Sequence, residues 1–372
     1  MTNRTPPRPL LEGLRVIDLS LWQPGHTATQ LLADLGADVL KVEPPGGDRM
    51  RPLVDRFYNY NGRKRSTVLD LKDDAGRQRL LGLAADAEVV VENYRPGVAA
   101  RLGIGFDDLV AVNPSIVMCS ITGFGQTGPL AGVPGHDHNF QAFAGGFTFP
   151  DGGPPAPAGH LVGDQGGGMA AAFAILAAVL CARRTGQGEH IDVAITDLLA
   201  TWVAPMGSID PRRLQMTGGG SLPGMGVFRT ADDEYVELGI FSEDHLWDLM
   251  CDALGLAEHV GVDMAGRAAR ASELRAAVAE RMQGWKRDEI VELLTRRSVP
   301  VAPVLTRVEM LEHPNFHERG IVATGPDGYR VIAHPIRYAV HPALPPGRPP
   351  TLDEHPDARF GEPDGGRDDG TS

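Results

Sequence analysis

Cysteine is scarce in this 372-residue chain: Cys119, Cys181 and Cys251 stand far apart and are odd in number. No disulfide framework and no zinc-ligand spacing can be built from them, which favours a reducing cytosol. Positive charge is also short. Lys and Arg number 35 against 48 Asp and Glu, a formal net charge of −13, which argues against nucleic-acid binding and against coating an anionic membrane. An anionic substrate is still allowed, because a few cations placed together can hold phosphates. The first residues, Met-Thr-Asn-Arg-Thr-Pro-Pro-Arg, lack the apolar run of a signal peptide. The longest charge-free apolar segment, Met169 to Ala182, is too short to span a bilayer and reads as a buried core helix. A soluble, cytoplasmic protein is expected. The glycine fingerprint of a dinucleotide site is missing too, since the turn after the first expected strand reads Ser20-Leu-Trp-Gln-Pro-Gly25.

What is present is enough apolar sequence, 42% with 22% charged, for two domains with proper cores. Strand-like runs at Arg15–Leu19, Asp38–Glu43, Glu88–Glu92, Ser115–Ile121 and Glu189–Ile195 alternate with helical patterns, among them Thr27–Leu35 and Asp74–Ala85. That rhythm predicts an α/β fold with a doubly wound parallel sheet. The rhythm changes past about Thr201. A glycine-rich loop, Thr217–Gly226, precedes two strand-like runs and helical patterns at Glu243–Leu254, Ser272–Gln283 and Lys286–Arg296. The expected division is a large domain over 1–215, a smaller α+β domain over 216–330, and a return to the large domain over 331–372. The end, from Pro342 on, is rich in Pro, Asp and Gly and is expected to be extended or disordered.

Chemistry concentrates between Gly135 and Gly168. The stretch opens with Gly135-His136-Asp137-His138-Asn139-Phe140 and closes with Gly163-Asp164-Gln165-Gly166-Gly167-Gly168 before a long apolar run. An aspartate at a helix start is ordinarily a cap, and a histidine between glycine and aspartate is ordinarily a loop residue. A carboxylate at a positive helix end, with a histidine of different intrinsic pKa one loop upstream, is nevertheless also suited to proton transfer. Three glycines in a first helical turn are costly unless something must come close, and a substrate approaching the backbone is the expected reason. His138 and His160 read as bystanders. His313 and His317 have metal-like spacing but no third ligand.

These blocks, with Gly36-Ala-Asp-Val-Leu-Lys-Val-Glu43, Glu92-Asn-Tyr-Arg-Pro-Gly97 and Thr122-Gly-Phe-Gly-Gln-Thr-Gly-Pro129, resemble the family III CoA-transferases. Within them, the histidine of the Gly-His-Asp triplet is similar to the α-methylacyl-CoA racemase branch. The resemblance runs from about Leu11 to about Arg337. It implies an acyl-CoA substrate, no further cofactor, no metal and an interlocked homodimer. For a racemase it implies 1,1-proton transfer through an enolate by His136 and Asp164, with an amide N–H at the helix start supporting the oxyanion and Glu243 as a secondary candidate. The CoA phosphates call for cations, and Lys41, Arg63, Lys64, Arg65, Arg95 and Arg101 are the candidates, the last two best matching the family pattern.

Other features lean toward CoA transfer, in which Asp164 attacks the thioester. They are the loop Gly218-Gly-Gly220, the segment Lys41-Val-Glu-Pro-Pro-Gly-Gly-Asp-Arg49 and the pair Gln141-Ala142. A non-catalytic acyl-CoA binding protein is a third reading, opposed by the retention of both His136 and Asp164. The acyl group is not written in the sequence. Met206, Met216, Met225, Trp202 and Trp247 are as suited to apolar core as to a substrate pocket.

Overall fold

A strand such as Val89-Val-Val-Glu92, buried at every position, can exist only between two layers of helix. In the computed structural model, which describes residues 8–148, 153–203 and 222–361, it is a central strand of a six-stranded parallel sheet. The elements of this first unit run β1 (Arg15–Asp18), α1 (Gln23–Asp34), β2 (Asp38–Glu43), α2 (Val54–Asn61), β3 (Arg65–Val68), α3 (Asp74–Asp86) and β4 (Val89–Glu92). They continue through α4 (Val98–Arg101), α5 (Phe106–Val112), β5 (Val117–Thr122), α6 (Asp137–Phe143), α7 (Val162–Thr185), β6 (Glu189–Ala194) and α8 (Ile195–Val203). Strand order is β3-β2-β1-β4-β5-β6, so the chain winds outward in one direction from β1 and then in the other from β4.

Alternation along the strands separates two cores. Val16, Val39, Val89, Val91, Val117 and Cys119 face α1 and α7. Ile17, Leu40, Val90 and Met118 face α3 and α5. The predicted fold class is the observed one. Among the elements that the sequence reading does not show are α2 and β3, whose Arg63-Lys64-Arg65 entry looks like a solvated loop.

Helix α7 is longer than its apolar run. By length and composition alone it could cross a membrane, yet it is a packing helix in this fold. A Cβ on Gly168 would lie 2.5 Å from the Thr27 Cβ and 2.6 Å from the Pro24 carbonyl oxygen of α1, and one on Gly166 would lie 2.2 Å from the Trp202 ring of α8. The glycine run therefore lets helices approach one another, which corrects the expectation that it clears room for substrate. Further along, α7 carries exposed apolar side chains, with Phe173 77% exposed and Met169 and Leu180 more than half exposed.

Compactness divides the chain into Met1–Pro205 with Asn315–Ser372, and Met206–Pro314, against the expected boundaries of 215/216 and 330/331. The second unit has an antiparallel sheet of β7 (Met225–Arg229), β8 (Tyr235–Gly239) and, further along the chain, β9 (Val301–Pro303). Helices α9 (Asp244–Leu254), α10 (Met264–Ala269), α11 (Ala271–Met282) and α12 (Arg287–Arg296) come between, and α13 (Arg307–Glu312) follows. Trp247 is fully buried in that core and donates its indole N–H to the His259 carbonyl at 2.8 Å, so it is core and not pocket. The glycine loop at 218–220, with Met206 and Met216, lies outside the described residues.

The return passes through α14 (Pro314–Glu318) and a hairpin of β10 (Val322–Thr324) and β11 (Arg330–Ile332). The segment from Pro342 to Gly361 is extended, as expected, but it is tied down. It runs beside β3, where the Val68 N–H meets Asp353 Oδ1 at 2.8 Å and His355 N–H meets the Ser66 carbonyl at 2.8 Å, and Phe360 is buried. An edge strand is thereby covered rather than left open to another chain.

Candidate functional site

Where a doubly wound sheet reverses direction, the loops leaving adjacent strands diverge and open a crevice at the carboxyl ends. Here those strands are β1 and β4. Their loops are laced together: Asn93 Oδ1 accepts the Leu21 N–H at 2.8 Å, Asn93 Nδ2 donates to the Leu21 carbonyl, and Glu92 Oε2 accepts the Tyr94 N–H at 2.5 Å. Trp22 is held at φ 78°, a region that bulky residues rarely occupy. The crevice is a cavity of about 450 Å³ whose lining includes Trp22, Tyr94, Arg95, Phe124, His136 and Asp164. The two proton-transfer candidates, far apart in sequence, thus share one cavity, together with one of the predicted phosphate ligands.

Asp164 sits in the first turn of α7, two residues inside the start rather than at the cap. Capping is done from another helix. Asp137, in the first turn of α6, accepts the Asp164 N–H on Oδ2 at 2.6 Å and the Gln141 amide on Oδ1. The Asp164 amide is thereby engaged and is not itself free for an oxyanion. A Cβ on Gly163 would lie 3.1 Å from the Asp137 carboxylate and 2.9 Å from Ile195, so the preceding position has little room for a side chain. Burial first, and then the Asp137 charge, push the Asp164 carboxyl up to about 7, with Arg56 pulling the other way. A carboxylate that is costly to ionise is a better base and a better nucleophile than one in water. His136 is exposed at the start of α6, its backbone N–H closed on Asn139 Oδ1 at 2.9 Å.

The predicted cations divide. Lys41 is fully buried, 2.6 Å from Asp48 and 3.0 Å from the Ser20 carbonyl. Lys64 is buried against Asp18 Oδ2 at 2.9 Å, Thr29 Oγ1 at 2.8 Å and Asn61 Oδ1 at 3.0 Å. Arg65 forms a two-pronged pair with Asp38, at 2.9 and 2.7 Å. These three are corrected: their charges neutralise carboxylates of the fold and do not face a ligand. Arg63 is exposed, with Nε on the Pro345 carbonyl at 2.6 Å. Arg95 lines the cavity, and Arg101 stands exposed at the end of α4. Glu243, in the second unit, precedes α9 and accepts the Phe241 N–H at 2.9 Å. Backbone N–H groups at Glu243 and Phe241 hold its carboxyl below the usual range.

Four residues of this region are not picked out by the sequence reading. Glu92 ends β4 buried, and burial lifts its carboxyl to about 7. Trp22 stands in the sequence only as part of a turn. Arg56 and Tyr60 fall on α2, which the sequence pattern did not reveal.

The fold and the cavity define an α/β protein with a partly buried, raised-pKa aspartate at a helix start, set in the switch-point crevice beside an arginine. Residues 11–356 match the profile of CoA-transferase family III, and the chain belongs to that family. It is 34% identical over 384 residues to an acetyl-CoA:oxalate CoA-transferase of Acetobacter aceti, covering 95% of this chain and 96% of that protein. It is also 34% identical to a succinyl-CoA:mesaconate CoA-transferase of Haloarcula marismortui, covering 93% and 94%. Among solved structures, a CAIB/BAIF family protein from Brucella suis superposes with a TM-score of 0.81 at 30% identity, over 93% of this chain and 97% of that one.

Proposed function

We propose that this protein is a CoA-transferase that moves CoA between two carboxylic acids through a covalent intermediate on Asp164. The observation that carries the proposal is the Asp164 carboxyl, partly buried, raised to about 7 and open to the switch-point cavity; transfer activities named for the relatives support it. The carboxylate attacks the donor thioester carbonyl, and the C–S bond breaks to release CoA thiolate and leave an acyl–aspartyl anhydride. The thiolate then attacks the aspartyl carbonyl, expelling the donor acid and leaving an aspartyl-CoA thioester. The acceptor carboxylate repeats the two steps in reverse, so no oxidant, reductant or net proton is needed.

Arg63, Arg95 and Arg101 are the remaining candidates for the CoA phosphates, the last two best matching the family pattern. The double change Arg95→Ala, Arg101→Ala should weaken CoA binding at low salt, make the residual binding less salt-sensitive and leave the melting temperature in place. Unchanged affinity at low salt would remove both from the site.

Only the ionised carboxyl is a nucleophile, so the rate of adduct formation under single-turnover conditions should rise with pH through about 7 and level off above it. Glu92 titrates in the same range, and Glu92→Gln serves as the control: the profile should persist in that variant. A profile that is flat from pH 5 to 9 rules out the proposed nucleophile.

One observation favours a second reading, racemisation of a 2-methylacyl-CoA: His136 and Asp164 line one cavity. It requires exchange of the α-proton with solvent, which transfer does not. The interlocked homodimer and a cytoplasmic location remain part of the proposal. A solution mass that stays at twice that of the chain on dilution supports the dimer, and a monomer at micromolar concentration removes it.

A further inference from the structure

Two cavities flank the first turn of α7. The crevice described above takes in Asp164, while a second cavity of about 500 Å³ begins one residue further along, at Gln165, and is lined by Thr27, Arg56, Tyr60, Met169 and His334 among others. Gln165 is fixed at the boundary: its amide nitrogen donates to the Tyr60 hydroxyl, and its carbonyl accepts from Thr27 Oγ1 at 3.4 Å. Arg56, on α2, lines this second cavity and makes no hydrogen bond or ion pair with any described residue. It differs in this from Lys41, Lys64 and Arg65, whose charges are neutralised inside the fold.

Two carboxyls share the cavity wall, and both have other partners. Asp55 accepts the Tyr329 hydroxyl, and Asp34 accepts the Gln30 amide at 2.7 Å. A guanidinium with no carboxylate of its own, in a pocket of ligand size, suits the planar two-point recognition of a carboxylate.

We propose that the second cavity receives the carboxylic acid of the exchange, and that Arg56 binds the far carboxylate of a dicarboxylic acid whose near carboxylate reacts at Asp164. The inference rests on the transferase reading for the reaction and on the second cavity for the specificity. Asp164 and Gln165, which line one cavity each, are consecutive residues in the first turn of α7, and the Arg56 charge also acts through space on the Asp164 carboxyl. The named activities of relatives on oxalate and mesaconate agree in chemical class.

The test compares succinate, glutarate and butyrate as acceptors, with acetyl-CoA and succinyl-CoA as donors, in wild type, Arg56→Ala and Arg56→Lys. Wild type should prefer the dicarboxylates. Arg56→Ala should raise their KM, and that of succinyl-CoA, at least tenfold, leaving the KM for butyrate and for acetyl-CoA unchanged, and Arg56→Lys should recover part of the loss. Because Arg56 is exposed and makes no hydrogen bond or ion pair among the described residues, the melting temperature should not move. Calorimetric titration with glutarate supplies a readout that needs no turnover. Glutarate binding that weakens in Arg56→Ala supports the site, and binding indifferent to Arg56, or a KM change equal for butyrate and dicarboxylates, overturns it. Failure of the wild type to transfer CoA to any of the three acids would instead overturn the transferase reading beneath it.

Discussion

Asp164→Ala should abolish CoA transfer, with a loss on the order of 10⁴-fold or more, because the covalent route has no substitute for its nucleophile. Asp164→Asn should be as inactive while gaining stability at alkaline pH. The sign follows from the raised pKa. The folded-state carboxyl titrates at about 7 against an ordinary 3.8, so between those values the unfolded chain ionises it freely and the folded chain resists. The penalty is absent below about pH 4, grows up to pH 7 and is complete above it. A shift of this size corresponds to roughly 4 kcal/mol at most, and about 2 kcal/mol after allowance for the partial exposure of the side chain. Denaturant titration of Asp164→Asn should therefore match wild type at pH 4 and exceed it at pH 8. Equal stability at both would show that the carboxylate is better solvated than its surroundings imply.

The second large effect lies in Lys64, a residue that its neighbours in sequence, Arg63 and Arg65, make look like part of a phosphate site. Its ammonium is buried with the Asp18 carboxylate, which also accepts from Ser20 Oγ at 2.5 Å and Thr29 Oγ1 at 2.7 Å. Burial draws the Lys64 pKa down to about 8 against the opposing pull of Asp18, whereas Lys64 and Lys41 together overcome burial and hold Asp18 well below the carboxylate range. Removing one member of a buried pair strands the other charge, and Lys64→Met should cost about 3–5 kcal/mol. Adding Asp18→Asn should restore part of that stability, because the stranded charge is then gone. CoA affinity of the folded fraction should be unchanged. A variant that folds normally but loses CoA binding would return Lys64 to the ligand site.

These residues also show what could be read from the chain alone. The sheet was legible because strands such as Val89–Glu92 are apolar on both faces, and that pattern is local. Asp164 was legible because a carboxylate and glycines before a long apolar helix are adjacent in sequence. Strand β3 was hidden because its basic residues find their carboxylates at a distance, Lys64 with Asp18 46 residues away and Arg65 with Asp38 27 residues away, so locally the stretch looks solvated. The glycines after Asp164 were noticed but assigned to the wrong visitor, since Thr27 and Trp202, which press on them, belong to other helices. The second cavity is assembled from α1, α2, α7 and the returning chain at Ile332–Pro335, and no single stretch announces it.

The central claim is that Asp164 carries CoA, and mass spectrometry of the protein tests it most directly. After incubation with acyl-CoA in deuterium oxide without an acceptor acid, a peptide containing Asp164 should carry CoA as a thioester that hydroxylamine removes, and the recovered acyl-CoA should hold no deuterium at its α-carbon. An unmodified Asp164 peptide together with deuterium at the α-carbon, lost in His136→Ala, would contradict the account and establish the racemase instead.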